Sequence, residues 1–114
     1  DFIGLGVFLP INKKSNGKLE TPLGILDKDR IKHDISKIEN LEMLIRPDDI
    51  IHNDASKLEA VVIEKQFRGA EFLYKLLYND KYPLLCFAPS HHDHKIGESI
   101  GIDVDIEHYV IFEK

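Results

Sequence analysis

The residues best suited to chemistry form one short run near the C-terminal end of the chain, His91-His92-Asp93-His94. Imidazole nitrogens and carboxylate oxygens are common ligands of metal ions. On a loop, however, neighbouring side chains diverge, and the run lacks the helical i, i+4 spacing that brings two rings together. We therefore predict a solvated polar loop and no metal site. An iron-sensing loop that uses His91, His92 and His94 is the alternative that residue chemistry leaves open. The histidines that could approach this run in the folded chain are His33, His52 and His108.

Nucleotide-binding loops are incomplete in this chain. Gly17-Lys18 has the end of a P-loop, but Asn12 and Leu19 stand where that loop requires a glycine and a serine or threonine. Gly4-Leu5-Gly6 is followed by Leu9 at the position of the third glycine of a dinucleotide-binding loop. Because neither phosphate cradle is complete, we predict no nucleotide site and no cofactor within this chain.

The paired carboxylates and the single cysteine have structural explanations. Asp48-Asp49 follow Pro47, which fixes its own φ, so a turn is predicted there. Asp103 and Asp105 lie on the polar side of an alternating segment, where solvation explains them. Cys86 stands between apolar neighbours and is predicted to be a small buried hydrophobe. The chain is therefore predicted not to be an enzyme.

Composition and charge fit a globular protein that does not bind nucleic acid. The 114 residues are 43% hydrophobic and 31% charged, which suits one small barrel or two small lobes that share contacts. The chain has 15 Lys and Arg against 20 Asp and Glu, a net charge of −5. It shows no basic stripe of the kind that binds phosphate backbones. We therefore predict no nucleic-acid partner.

Alternating apolar and polar residues predict several short strands. Ile100, Ile102, Val104 and Ile106 alternate with glycine and acidic residues, the pattern of a strand with one buried face. Further strands are predicted at 43–45, 58–67, 70–78, 84–87 and 109–112, with Pro83 and Pro89 bounding the strand at 84–87. For 70–78, aromatic content and the preceding glycine favour a strand buried on both faces over a helix. Arg68-Gly69 is predicted to join two strands in a hairpin or corner.

The first forty residues predict turns and a small ribbon. Turns are expected at Asn16-Gly17 and Pro22-Leu23-Gly24, so that 18–21 and 24–26 pair with each other. The charged segment 27–40 fits either a short helix with an apolar stripe or a solvated connector. Together these elements predict a mainly all-β fold with short antiparallel strands and little helix. From Glu42 onward they fit an OB-fold-like Greek-key barrel.

Backbone geometry explains the glycines and prolines that punctuate these strands. Gly69 is predicted to adopt a positive φ or to lie close to a neighbouring strand. Gly97 is predicted to shape the turn into the strand that begins near Ile100. Both glycines are therefore interpreted as determinants of the fold.

Several blocks of the chain resemble a known family in their order and spacing. The blocks are Asp1-Phe2-Ile3-Gly4 with Phe8-Leu9-Pro10, Pro22-Leu23-Gly24, Met43 to Ile50, Phe67 to Tyr74, Pro89 to His94 with Gly97, and His108 to Phe112. They are similar to the TOBE domain, the transport-associated OB module at the C-terminal end of ATPase subunits of ABC importers. The last two blocks resemble the ferric-iron importer type. The residues that carry the family motifs are Arg46, Pro47, Phe67, Arg68, Gly69 and Gly97.

The resemblance implies a regulatory and architectural role without catalysis. Residues 1–41 would be a first small β lobe and connector following an ATPase domain that precedes this chain, and 42–114 the TOBE domain. The implied role is regulation and dimerisation of an importer ATPase, with ATP and Mg bound only in the full-length subunit. The implied partners are a second copy and the membrane subunits, and the implied location is cytoplasmic, peripheral to the inner membrane. A free-standing OB-type module that binds a small anion or oligonucleotide is the alternative function.

Overall fold

Strands dominate the computed structural model, which describes residues 6–31, 39–89, 93–107 and 109–113. Within those residues there are ten strands, two 3₁₀ turns (Lys28–Arg30 and Pro47–Asp49) and no α-helix. The strands are β1 (Val7–Lys13), β2 (Leu19–Thr21), β3 (Gly24–Ile25), β4 (Leu41–Ile45), β5 (Ile50–His52), β6 (Leu58–Arg68), β7 (Glu71–Tyr78), β8 (Tyr82–Pro89), β9 (Ser99–Val104) and β10 (Val110–Glu113). The predicted all-β class is confirmed. The described residues contain no helix long and apolar enough to cross a membrane.

Contacts divide the chain into two compact units that interleave along the sequence. The larger unit is formed by 45–105 together with the chain before Phe8, and the smaller by 8–44 and 106–114. The sequence-based division into 1–41 and 42–114 concerns family domains and stays a prediction. The C-terminal strand belongs to the smaller unit because β10 pairs antiparallel with β4.

The larger unit is a five-stranded antiparallel sheet in the order β5-β9-β6-β7-β8. Strands β6, β7 and β8 follow one another as hairpins, and β9 returns to lie beside β6, which is the Greek-key arrangement. The two end strands approach each other, since the Cys86 thiol lies 3.5 Å from the Ile50 carbonyl oxygen. The sheet therefore closes almost completely into the barrel that the sequence predicts.

Alternation along the strands fills the interior of this barrel. Ile100 and Ile102 of β9 are buried as their period predicts, and Leu73 and Tyr74 are both buried on β7. The prediction that β7 is covered on two faces is thus confirmed. Fully burying one such side chain stabilises the fold by roughly 1.5–3 kcal/mol. The other buried residues of the larger unit's strands are Ile45, Ile50, Ala60, Val62, Leu76, Leu84, Cys86 and Ala88.

The β6–β7 hairpin forms where it was predicted, with one irregularity. Phe67 pairs with Phe72 and Arg68 with Glu71, so Gly69 and its neighbour form the turn. The register shifts between Val62 and Glu64, which indicates a β-bulge at that point. Nothing in the local composition predicted this bulge, because it depends on how β6 meets both β7 and β9.

Strand β8 is longer than predicted. The sequence placed Pro83 and Pro89 outside a strand at 84–87, but both lie inside β8 and pair with β7. Proline cannot donate a ladder hydrogen bond and is tolerated mainly on edge strands. Because β8 is the last strand in the sheet order, one of its sides has no paired strand in that order, and prolines fit there.

The smaller unit contains the sheet β10-β4-β1-β2-β3. The predicted ribbon is confirmed, since β2 pairs with β3 and the Thr21 hydroxyl donates to the Gly24 carbonyl oxygen at 2.9 Å. Alternate residues of the sheet form its buried face, and Phe8 and Phe112 contact each other on the exposed face with ring centres 5.7 Å apart. The choice between helix and connector for 27–40 is left open, because residues 32–38 lie outside the described residues.

Candidate functional site

The connector between β8 and β9 is held against the barrel by side chains of β6 and β7. The described part, 93–98, begins beside Lys65, whose ammonium group contacts the Asp93 carboxylate and lies 3.2 Å from the His94 carbonyl oxygen. The backbone N–H of His94 donates to the hydroxyl of Tyr74 at 2.9 Å. Tyr74 is fully buried, so this contact joins the connector to the interior of the barrel.

Two histidines that are far apart in sequence meet at this connector. His52 is the last residue of β5, and its ring lies edge-to-face against the ring of His94, with centres 4.6 Å apart. Their side chains are only 8% and 16% exposed. The residue chemistry pointed to the consecutive histidines of the loop, whereas the described contact brings His94 together with His52. The pairing of β5 with β9 places His52 opposite Ile102, and no local sequence pattern reveals that register.

A carboxylate contacts each of the two rings. His52 Nε2 lies 2.7 Å from Asp54 Oδ1, and His94 Nδ1 lies 2.5 Å from Glu98 Oε2. The hydrogen bond with His94 lowers the pKa of Glu98, and the Lys95 backbone N–H, which donates to the other oxygen at 3.1 Å, lowers it further. The arrangement is therefore two histidine–carboxylate dyads whose rings are in contact.

The described residues supply no complete set of protein metal ligands. They contain no group of three or more His, Cys, Asp or Glu side chains arranged to hold an ion. Of the three loop histidines, His91 and His92 lie outside the described residues, and His94 makes the contacts given above. The iron-sensing role of His91, His92 and His94 stays a prediction.

The Arg46-Pro47 motif forms the turn that was predicted between β4 and β5. The Arg46 backbone N–H donates to Asp49 Oδ2 at 2.9 Å, and the Asp49 N–H donates to the Arg46 carbonyl oxygen at 3.0 Å. Pro47 is buried at the first position of the 3₁₀ turn. Burial raises the pKa of Asp49, while the Arg46 backbone hydrogen bond opposes that rise. The paired carboxylates at this turn therefore have a structural role.

The second motif lies at the tip of the β6–β7 hairpin. Phe67 is 63% exposed and its ring centre lies 5.4 Å from that of Phe72. The Arg68 guanidinium donates to the side-chain oxygen of Gln66 at 3.3 Å. Gly69 has φ +69° and a Cβ placed on it would meet no atom within 4 Å, so the turn needs its backbone conformation and not its small size. The prediction of a positive φ there is confirmed.

Gly97 and Cys86 also behave as predicted. Gly97 has φ +95° and its N–H donates to the Val62 carbonyl oxygen at 2.7 Å, so it shapes the turn before β9. Cys86 is fully buried, and burial raises its thiol pKa to about 11. A thiol in that state is protonated near neutral pH and is a poor nucleophile.

Comparison with known protein families gives one match. A family model described as the TOBE domain matches residues 43–112, more than half of the chain. The matched range begins in β4, includes the whole barrel from β5 to β9, and ends in β10. TOBE domains are non-catalytic regulatory domains, typically of ABC transporter ATPases. A comparison with curated proteins found no match.

Proposed function

Because the chain belongs to the TOBE-domain family, we propose that it is the regulatory and dimerisation domain of the ATPase subunit of an ABC importer. The family match over 43–112 is the observation that carries this proposal. The Greek-key barrel and the turns at Arg46-Pro47 and Arg68-Gly69 support it, because they place the family motifs at the corners of a closed sheet. ATP and Mg would bind in a separate domain of the same polypeptide, and this domain would contribute no catalytic residue.

Regulation by such a domain needs only a modest free energy. The domain would bias the equilibrium between open and closed arrangements of two ATPase domains. A coupling of about 1–3 kcal/mol changes an affinity by roughly five- to 150-fold. Any signal that acts through the domain must bind one of the two arrangements more tightly than the other.

The importer's substrate is proposed to be ferric iron. The support is the resemblance of the segments Pro89 to His94 and His108 to Phe112 to the ferric-iron importer type. The test is uptake of radiolabelled ferric iron by cells in which the gene is deleted and then restored. Uptake should fall on deletion and return on restoration. Unchanged iron uptake with impaired uptake of another substrate would reject the iron assignment and keep the importer.

Dimerisation is proposed to occur through this domain. The smaller unit's sheet has β10 and β3 as its edges, and exposed edges tend to be paired or covered in native proteins. Sedimentation equilibrium of the 114-residue chain should give twice the mass of one chain. A monomer across the whole accessible concentration range would contradict dimerisation through this part of the protein. The other proposed partners are the importer's membrane subunits, at the cytoplasmic side of the inner membrane.

The decisive experiment compares the full-length subunit with a version that ends before Glu42. Both should hydrolyse ATP, whereas the isolated 114-residue chain should not. Loss of the domain should change dimerisation or the response of the ATPase rate to the transported substrate. ATP turnover by the isolated chain, or a full reading frame without a P-loop and signature motif, would overturn the proposal.

A free-standing OB-type module is the second candidate, and one feature favours it. The exposed Phe67 ring contacts Phe72, and the Lys65 ammonium lies 4.8 Å from the Phe72 ring centre. Aromatic rings near cations on a barrel are a common platform for stacking nucleotide bases. The net charge of −5 weighs against this function. Tight binding of a fluorescent single-stranded oligonucleotide, weakened by Phe67→Ala, would favour the module over the transporter domain.

A further inference from the structure

The contact between the two histidine–carboxylate dyads has the features of a prepared metal site. Histidines that bind metals usually donate their other ring N–H to a carboxylate, which fixes the tautomer and the ring orientation. His52 has Asp54 at 2.7 Å from Nε2, and His94 has Glu98 at 2.5 Å from Nδ1. When these nitrogens carry the proton, Nδ1 of His52 and Nε2 of His94 carry the lone pairs that a metal would use.

We propose that His52 and His94 together bind a divalent cation of the zinc, cobalt or nickel type, with Asp54 and Glu98 orienting the two rings. Imidazole nitrogen suits these cations, whereas calcium and magnesium prefer oxygen ligands. A metal-bound imidazole nitrogen lies about 2 Å from the ion, so two rings on one ion have centres roughly 5 Å apart. The observed separation of 4.6 Å is close to that value.

The surroundings balance the charge of a dication. Asp54 and Glu98 bring two negative charges to the rings, and Asp93 is already occupied by the ammonium group of Lys65. Both rings are largely buried, so a bound ion would interact with these carboxylates through little solvent. Two protein ligands from the described residues leave the remaining positions to water, which agrees with the absence of a three-ligand group among them.

Binding at this place would join two elements of the larger unit. His52 ends β5, and His94 belongs to the connector that leads to β9. An ion between the rings would therefore add a crosslink where Tyr74 and Lys65 already anchor the connector. The inference does not rest on the transporter assignment, because it depends only on the geometry of the barrel and its connector.

The test is isothermal titration calorimetry of the 114-residue chain with ZnCl₂, CoCl₂ and NiCl₂ in a non-chelating buffer. His52→Gln and His94→Gln should each abolish the binding heat. Glu98→Gln should weaken affinity about tenfold or more, the usual effect of losing a partner that orients a metal-binding histidine. His33→Gln is the matched control and should bind as wild type does.

A second measurement needs no substitution and covers the case in which a variant does not fold. Addition of substoichiometric CoCl₂ to isotopically labelled wild-type protein should broaden the NMR signals of His52 and His94 before those of the other four histidines. Wild-type affinity in His52→Gln, or early broadening confined to other histidines, would overturn the proposal. In particular, binding that survives His52→Gln but is lost on changing both His91 and His92 to Gln would place the ion on the consecutive loop histidines instead.

Discussion

Gly101 on β9 is expected to be the glycine of the barrel least able to accept a side chain. A Cβ placed on it would lie 2.2 Å from the backbone oxygen of Asn53 and 3.3 Å from the Cα of Asp54. Both contacts are with backbone, which cannot move aside as the end of a flexible side chain can. Gly101→Ala must therefore displace the segment that follows β5.

That segment is fixed by several hydrogen bonds. The Asn53 N–H donates to the Gly101 carbonyl oxygen at 2.9 Å, and the Asn53 oxygen accepts from the Ser56 N–H at 3.0 Å. The Asn53 side-chain amide also donates to Asp103 at 2.6 Å. We expect Gly101→Ala to destabilise the fold by about 3 kcal/mol, at the upper end of the range for overpacking, because relaxation would weaken these bonds. The smaller backbone entropy of alanine in the unfolded chain offsets only about 0.4–1 kcal/mol.

Urea denaturation followed by circular dichroism measures this change. Native domains are stable by about 5–15 kcal/mol, so the variant should remain folded but unfold at clearly lower urea, with a melting temperature roughly 10 °C lower. Ser99→Ala, an exposed change on the same strand, is the matched control and should stay within about 0.5 kcal/mol of wild type. A Gly101→Ala variant as stable as that control would refute the argument from the backbone clash.

Three further predictions concern other residues of the barrel. Gly69→Ala should cost roughly 1 kcal/mol from its φ of +69° alone, and Gly69→Asn less, because asparagine tolerates that conformation; equal stability of both variants with wild type in urea would contradict this. The Cys86 thiol, with its pKa raised to about 11 by burial, should react with a disulfide reagent far more slowly in the native protein than in urea, and equal rates would show that the thiol is accessible. The pKa of Asp103 is lowered by hydrogen bonds from Asn53 and Ser56, so its contribution to stability is present above the ordinary aspartate value of about 4 and lost as pH falls through its lower native value. Asp103→Asn should therefore flatten the acid side of the stability profile, whereas an unchanged acid slope would assign that slope to other carboxylates.

Local patterns were sufficient to predict most of the barrel's elements. The period-two alternation of the Ile100 segment gave β9, the run before Arg68-Gly69 gave β6, and a positive φ was expected at Gly69. These features depend on which backbone conformations a residue tolerates and on which side chains avoid water, and both are written in neighbouring residues. The extent of β8 was wrong because the tolerance of a strand for Pro83 depends on its place in the sheet, which neighbouring residues do not reveal.

The sequence by itself determined the all-β class, the positions of the turns and the membership of the TOBE family, because these follow from local conformation and from ordered motifs. Only the tertiary structure decided that His94 meets His52 and that Gly101 faces the backbone of Asn53. Both contacts join segments that are distant along the chain, and they arise from the register in which β9 pairs with β5 and β6. Such a register is set by the packing of the whole barrel, since shifting one strand by a residue would turn its buried side chains toward water.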